Sequence, residues 1–171
     1  MRVTPIEFDA ASGVRTGETQ PIDLPPTIQC SHRPSLSADQ KRLAFVSGDG
    51  NVYVLNVDED TKLLMIQDND DDLAALSADG RWLATYAHGR HGVNIWSADQ
   101  GQRLASLLQS HTVAAAAFSP DGGYLVVDAG DSMISLEPGS WNELGRVELR
   151  DAVMARPVGK ATSHSPPMAS C

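Results

Sequence analysis

The sequence predicts an all-β fold made of repeated four-stranded units, and three observations support this prediction. A Ser-x-Asp turn between apolar runs recurs at Ser37, Ser77 and Ser119, a spacing of about forty residues. Each turn is preceded by one short apolar run and followed by three more. Asp and Gly residues separate these runs, as in tight reversals between antiparallel strands. A period of this length indicates a repeat architecture, which usually builds a surface for partners.

The residues of these turns favour a tight reversal. In Ser119–Gly122, proline presets φ, aspartate can accept bonds from nearby backbone amides, and glycine accepts a positive φ. We expect equivalent turns to be held by Asp39, Asp79 and Asp121, together with Gly80 and Gly122.

Four short runs in each unit predict one antiparallel sheet per unit. After the turn, the runs of the first full unit are 42–47, 52–55 and 62–67. The corresponding runs are 81–87, 93–96 and 103–109 in the second unit, and 124–128, 133–136 and 144–149 in the third. One small sheet cannot bury both faces alone, so neighbouring sheets should stack about a common axis as in a β-propeller.

The run before each turn should be the innermost strand, where blades crowd and side chains must be small. Val113–Phe118 contains four alanines and fits that position. Alanine also favours helix. The turn that follows directly, and the leucine-rich runs at the same place in the other units, favour a strand.

The repeats therefore predict an incomplete β-propeller with four-stranded antiparallel blades. Residues 1–24 are expected to form half a blade, with its third strand near Ile6–Asp9 and its fourth at 19–24. Full blades are expected at 25–68, 69–109 and 110–150. Residues 151–171 predict an irregular, disordered tail, because Ser, Pro and Gly are frequent there.

The segment Val93–Leu104, with Ile95-Trp96 before a polar turn, resembles the WD-repeat family of β-propellers. Phe8-Asp9 stands where that family has Trp-Asp, and Ser110-His111 stands where it has Gly-His. Phe118–Gly122 is similar to the turn of bacterial members. The resemblance covers roughly residues 4 to 150 and implies structural repeat positions at Phe8, Asp9, Asp39, Asp49, Asp79, Gly80, Trp96, His111, Asp121, Gly122 and Asp131.

The chain departs from the family at a buried polar set. Family blades join a His, a Ser or Thr, an Asp and a Trp by hydrogen bonds. In the third blade His111 and Asp131 are candidates, but Leu136 occupies the Trp position. The second blade keeps Trp96 and a candidate Thr85 without a matching His or Asp. We therefore expect the blades to be held mainly by apolar packing.

Three blades and a half do not close a ring of seven or eight, and an open propeller exposes sheet faces. Three explanations remain open. The chain is a fragment of a longer propeller, or it assembles with a second copy or a sister chain to complete a ring. Alternatively, residues 152–171 add strands to the N-terminal half blade and close a four-bladed ring.

Composition limits the classes of partner. A formal net charge of −9 disfavours nucleic acid, which needs clustered Lys and Arg. The two cysteines, Cys30 and Cys171, form no metal-ligand spacing or disulfide framework. No apolar stretch is long enough to predict a membrane span, and the first residues have no apolar signal core, so the cytoplasm is the expected location.

Two charged segments are candidates for a binding rim. The run 68–72 superficially matches a calcium loop, but Leu73 and Asp79 stand where such a loop needs Gly and Glu, so a solvated loop is favoured. The turn at 88–91 holds imidazoles without a carboxylate or Cys at ligand spacing, so no metal site is predicted. In a propeller these two segments share one rim. The predicted partner-binding residues are Asp68, Asp70, Asp71, Asp72, His88, Arg90, His91 and His111.

No catalytic constellation and no cofactor are predicted. Every Ser beside an Asp belongs to a repeat turn, and no Gly-x-Ser-x-Gly elbow occurs. The resemblance implies a non-enzymatic interaction scaffold, or a sensor or docking region of a larger bacterial signalling protein. One alternative is part of a lactonase-like propeller hydrolase, which would need acidic or His side chains along the axis. Another is a self-assembling structural module.

Overall fold

The structure is a computed structural model, and it describes residues 2–3, 6–9, 13–16, 20–21, 24–26, 28–30, 33–57, 63–67 and 71–149. Strands and turns account for the regular structure of this part of the chain, which contains no helix. Accordingly, the described part has no helix long and apolar enough to cross a membrane. The tail predicted at 151–171 lies outside the described residues.

Sixteen short strands form two hairpin-like pairs and three four-stranded sheets in the described part. The N-terminal strands are β1 (Arg2–Val3), β2 (Ile6–Asp9), β3 (Gly13–Thr16) and β4 (Gln20–Pro21). The first blade contains β5 (Ser35–Leu36), β6 (Arg42–Val46), β7 (Val52–Asn56) and β8 (Leu63–Ile66). The second contains β9 (Leu73–Leu76), β10 (Trp82–Tyr86), β11 (Arg90–Ser97) and β12 (Arg103–Val113). The third contains β13 (Ala115–Phe118), β14 (Leu125–Asp128), β15 (Ser132–Leu136) and β16 (Glu143–Glu148).

Each blade is an antiparallel meander whose strands lie side by side in chain order. This confirms the predicted incomplete propeller with four-stranded antiparallel blades. The alanine-rich run is strand β13, paired with β14 from Ala115↔Asp128 to Phe118↔Leu125. The three blades do not close a ring.

The ends of two elements differ from the predicted bounds. Ile6–Asp9 pairs with Gly13–Thr16, and Gln20–Pro21 pairs with Arg2–Val3, whereas we expected the partner strand at 19–24. The glycine at position 13 begins the return strand and allows a much shorter connection than we assumed. The boundary expected between 109 and 110 falls inside β12, which continues to Val113 because Arg90↔Val113 extends its pairing with β11.

The three Ser-x-Asp turns share one hydrogen-bond pattern. The Ser77 hydroxyl donates to Asp79 Oδ1 over 2.7 Å, while the same hydroxyl oxygen accepts from the Trp82 amide over 2.9 Å. Asp79 Oδ1 also accepts from the Arg81 amide at 3.0 Å. Ser37/Asp39 and Ser119/Asp121 repeat these contacts. The hydroxyl and the backbone amide that donate to the carboxylate lower the pKa of Asp39 and of Asp121.

The last turn position always has a left-handed backbone. Its φ is +71° at Gly80 and +72° at Gly122, as predicted from glycine, but the same position in the first blade is Gln40 at +61°. A non-glycine residue is strained there, since Cβ approaches the following carbonyl.

The blades stack so that each sheet has a near face, toward the preceding sheet, and a far face, toward the following one. The far face of the first blade packs on the near face of the second, and the core between them includes Val52, Val54, Ile66, Leu83 and Trp96. The second and third blades enclose a similar core with Val93, Ile95, Leu125, Val127 and Leu136. The inner strands β5, β9 and β13 contact one another from blade to blade, which identifies them as the strands nearest the axis.

Candidate functional site

The predicted rim exists as one surface on the second blade. The Asp72 amide donates to Tyr86 O at 3.2 Å, which places Asp72 beside the turn that carries His88. The Gly89 amide donates to Val113 O at 2.9 Å, and His88 Nδ1 donates to Ala114 O at 3.2 Å. These bonds tie the β10–β11 turn to the connection that enters the third blade.

Asp72, His88 and Arg90 are exposed, and we call them the rim patch. Their charges are mixed in sign over a short distance along the chain. The backbone beneath them is fixed by the three inter-element bonds just described, so the patch is held before any partner arrives.

Asp71 does not belong to this patch, contrary to our prediction of a partner-binding residue. Its side chain is buried, with 9% exposed, and its Oδ2 accepts from Thr85 Oγ1 at 2.6 Å and from Asn94 Nδ2 at 3.1 Å. A buried carboxylate with these donors holds the blade together and cannot reach a partner.

Asp71 is one end of a buried hydrogen-bond chain that the sequence reasoning missed. Trp96 Nε1 donates to Thr85 Oγ1 at 2.9 Å, and the Thr85 hydroxyl donates onward to Asp71. Asn94, which also donates to Asp71, accepts from Ser106 Oγ at 2.8 Å. The second blade therefore contains a polar set, and the expectation that no blade would keep one was wrong.

One signal could have found this chain. Thr85 pairs with Asn94 and Leu83 with Trp96, so Thr85 and Trp96 are diagonal neighbours on one face of the sheet. A carboxylate two residues before the inner strand, at Asp71, enters the same blade. We grouped Asp71 with its charged neighbours and so read it as solvated.

His111 lies on the outer strand β12. Its Nδ1 is 3.2 Å from Ser110 Oγ, and its Nε2 is 3.5 Å from Arg146 Nη1 on the next blade. Arg146 in turn forms two hydrogen bonds with Glu143, and these bonds lower the pKa of Glu143. His111 thus contributes to an exposed polar cluster between the outer strands of the second and third blades.

The remaining predicted residues are placed as follows. Asp49 accepts from Tyr53 Oη at 2.9 Å and from the Asn51 amide at 3.1 Å in the β6–β7 turn. Asp131 Oδ1 accepts from Ser132 Oγ at 3.3 Å in the equivalent turn of the third blade. For Phe8, Asp9 and His91 the structure describes strand backbone only, and Asp68 and Asp70 lie outside the described residues.

Nothing in the described ranges resembles a metal centre, since they contain no group of three or more His, Cys, Asp or Glu side chains that could hold an ion. The inner strands β9 and β13 consist of Leu, Ala and Phe. The described axis-lining strands therefore offer no carboxylate or imidazole.

Three solved structures show what this fold is similar to. The chain matches hydrazine synthase of Kuenenia stuttgartiensis with a TM-score of 0.57 at 15% identity, over 77% of this chain and 39% of that one. It matches U3-55K with a TM-score of 0.54 at 18% identity, over 66% of this chain and 37% of that one. It matches Hsv2 of Kluyveromyces lactis with a TM-score of 0.51 at 16% identity, over 67% of this chain and 35% of that one.

No protein-family model and no curated protein matches the chain. The chain spans less than two fifths of the length of each of the three solved structures. These neighbours are propellers of the WD40 type, and at such low identity the likeness concerns the fold alone. Together with the three stacked meanders, it establishes that the chain folds as part of a β-propeller.

Proposed function

We propose that this chain is a non-enzymatic, WD-repeat-like propeller segment that binds other proteins. It would act in the cytoplasm as a scaffold or as the docking region of a larger bacterial signalling protein. The observation that carries the proposal is the rim patch, Asp72, His88 and Arg90, exposed on connections that are bonded between two stacked blades. A surface fixed in this way loses little conformational entropy when a partner binds.

The charges of the rim patch suit recognition of a polar protein surface. An acidic and a basic side chain on the same rim can select a partner with the complementary arrangement, and such pairs affect specificity and association rate more than total affinity. A partner that offers charge of only one sign would be repelled by one end of the patch.

The composition of the inner strands supports a binding role over the hydrolase alternative. A propeller hydrolase needs acidic or His side chains converging on the axis, and β9 and β13 present Leu, Ala and Phe. The Ser-Pro-Asp-Gly turn at Ser119–Gly122 supports the bacterial type of WD repeat.

A charge-matched pair of variants tests the proposal. Arg90 is on the rim patch, whereas Arg81 belongs to a turn at the opposite end of β10, with 64% of its side chain exposed. The purified chain, Arg90→Glu and Arg81→Glu would each be cross-linked in an extract of the source cells, and captured proteins quantified by mass spectrometry. We expect a discrete protein captured by the parent and by Arg81→Glu, and reduced about tenfold or more by Arg90→Glu. Equal capture by both variants, or no specific capture by the parent, would overturn the rim as the binding site.

A further inference from the structure

The third blade has a far face with no fourth blade to cover it among the described residues. Cross-strand register defines this far face as two rows, Ala117–Val126–Ser135–Gly145 and Ala115–Asp128–Met133–Val147, with Tyr124 at one end. The same positions in the first two blades are core residues. Ile66, which corresponds to Val147, is 1% exposed, whereas Val147 is 63% exposed.

Tyr124 gives a second indication that this surface is built to be covered. In each blade the residue whose amide bonds the turn serine reaches the following blade. Arg42 donates to Gly80 O at 2.8 Å and binds Asp99, and Trp82 packs edge-on against Trp141 with ring centroids 5.6 Å apart. Tyr124 occupies the same position and is 42% exposed.

The far face can be buried without breaking hydrogen bonds. Asp128 Oδ1 already accepts from the Gly130 amide at 2.9 Å, and Ser135 Oγ donates to Gly145 O at 3.1 Å. The other side chains are alanine, valine, methionine and tyrosine. An exposed apolar surface with an aromatic anchor and satisfied polar groups is typical of a protein interface.

Another copy of this chain cannot cover the far face by continuing the stack head to tail. That arrangement would require the near face of the first blade, where Phe45 and Leu55 are 0% exposed and pack with Leu24 and Ile28. Of the three four-stranded sheets, only the third therefore offers an uncovered face. A second copy must use the same face, and an interface of identical patches has two-fold symmetry.

We propose that the far face of the third blade is the interface of a closed two-fold dimer of this chain. The two sheets pack face to face, as in a β-sandwich. A two-fold axis across the strands brings Tyr124 of one copy over the Asp128–Met133 end of the other and keeps the two Asp128 carboxylates apart. This dimer differs from ring completion, and it leaves the rim patch of each copy exposed for a separate partner.

Sedimentation velocity of the full chain over a dilution series tests the dimer. Val147→Lys places a charge in the interface, and Tyr124→Ser removes the aromatic anchor at its other end. Met65→Lys is the matched control, because Met65 is 49% exposed on the outer strand β8 of the first blade. All three residues are substantially exposed, so circular dichroism should show each variant folded.

We expect the parent and Met65→Lys to dimerise, and Val147→Lys and Tyr124→Ser to raise the dissociation constant about tenfold or more. Arg90→Glu should leave the dimer unchanged, which separates this result from a failure of the proposed rim function. A monomeric parent, a ladder of larger oligomers, or a dimer that resists both interface variants or is equally weakened by Met65→Lys would each overturn the proposal.

Discussion

At the same two strand positions, the second blade carries Thr85 and Trp96 and the third carries Val127 and Leu136. In the second blade the pair forms a hydrogen-bonded chain that ends at Asp71, whereas in the third both side chains are apolar and buried in the core. The two meanders nevertheless have the same strand order and the same Ser-x-Asp turn. The blade fold therefore does not depend on the polar chain, although a blade that contains it must satisfy every member.

The asymmetry has a physical reason. Replacing both partners of a buried hydrogen bond by apolar groups of similar shape can be nearly neutral, but removing one partner leaves the other desolvated and unpaired. The third blade shows the first situation. A single substitution in the second blade would create the second situation.

Thr85→Val is expected to have the largest effect, a loss of about 2–3 kcal/mol in the free energy of unfolding. The substitution keeps the side-chain shape but removes the acceptor for Trp96 Nε1 and one donor to Asp71. Urea unfolding followed by tryptophan fluorescence measures the change. Ser106→Ala, which removes only the exposed end of the chain, should stay within about 0.5 kcal/mol. Equal losses in the two variants would show that the buried chain contributes nothing special.

Gly80→Ala and Gly122→Ala compare the turns of the same two blades. Both glycines have φ near +70°, so each alanine should cost about 1 kcal/mol from backbone strain. A Cβ at Gly80 would also lie 2.8 Å from Arg42 Cδ, while one at Gly122 would meet no atom within 4 Å. Arg42 is held there by Gly80 O and Asp99, so it cannot retreat freely.

We therefore expect Gly80→Ala to be more destabilising by about 1 kcal/mol than Gly122→Ala. Thermal and urea unfolding of both variants give the comparison. A difference close to zero would mean that Arg42 does not fasten the first blade to the second.

Gln40→Gly should produce the smallest change and have the opposite sign. Gln40 holds the left-handed turn position at φ +61°, where the other two blades have glycine. Relief of this strain should exceed the entropy that glycine adds to the unfolded chain, which leaves a gain of about 0.5 kcal/mol. A raised midpoint of urea unfolding with an unchanged slope is the expected result. A loss of stability would show that contacts of the Gln40 side chain outweigh its backbone strain.

The repeat spacing was enough to predict the blades, because turn chemistry is local. Ser, Asp and Gly at fixed offsets specify the reversal between the first and second strands of each blade, and the short apolar runs then pair in order. The rim was predicted for a similar reason, since strand order alone puts Asp72 and His88 at the same end of the sheet. The fate of Asp71 was not predictable from its neighbours. Adjacent acidic residues look alike in a charged run, and only one of them enters the blade.

Local chemistry in the amino-acid order thus decided how many sheets form and where each chain reversal occurs. Three-dimensional packing decided which side chains are spent on cohesion, because Thr85, Trp96 and Asp71 are distant in the chain and meet only when the sheet is complete. Packing also decided that the last sheet keeps one face uncovered, since burial of a face depends on whether a neighbour lies against it and not on its own residues.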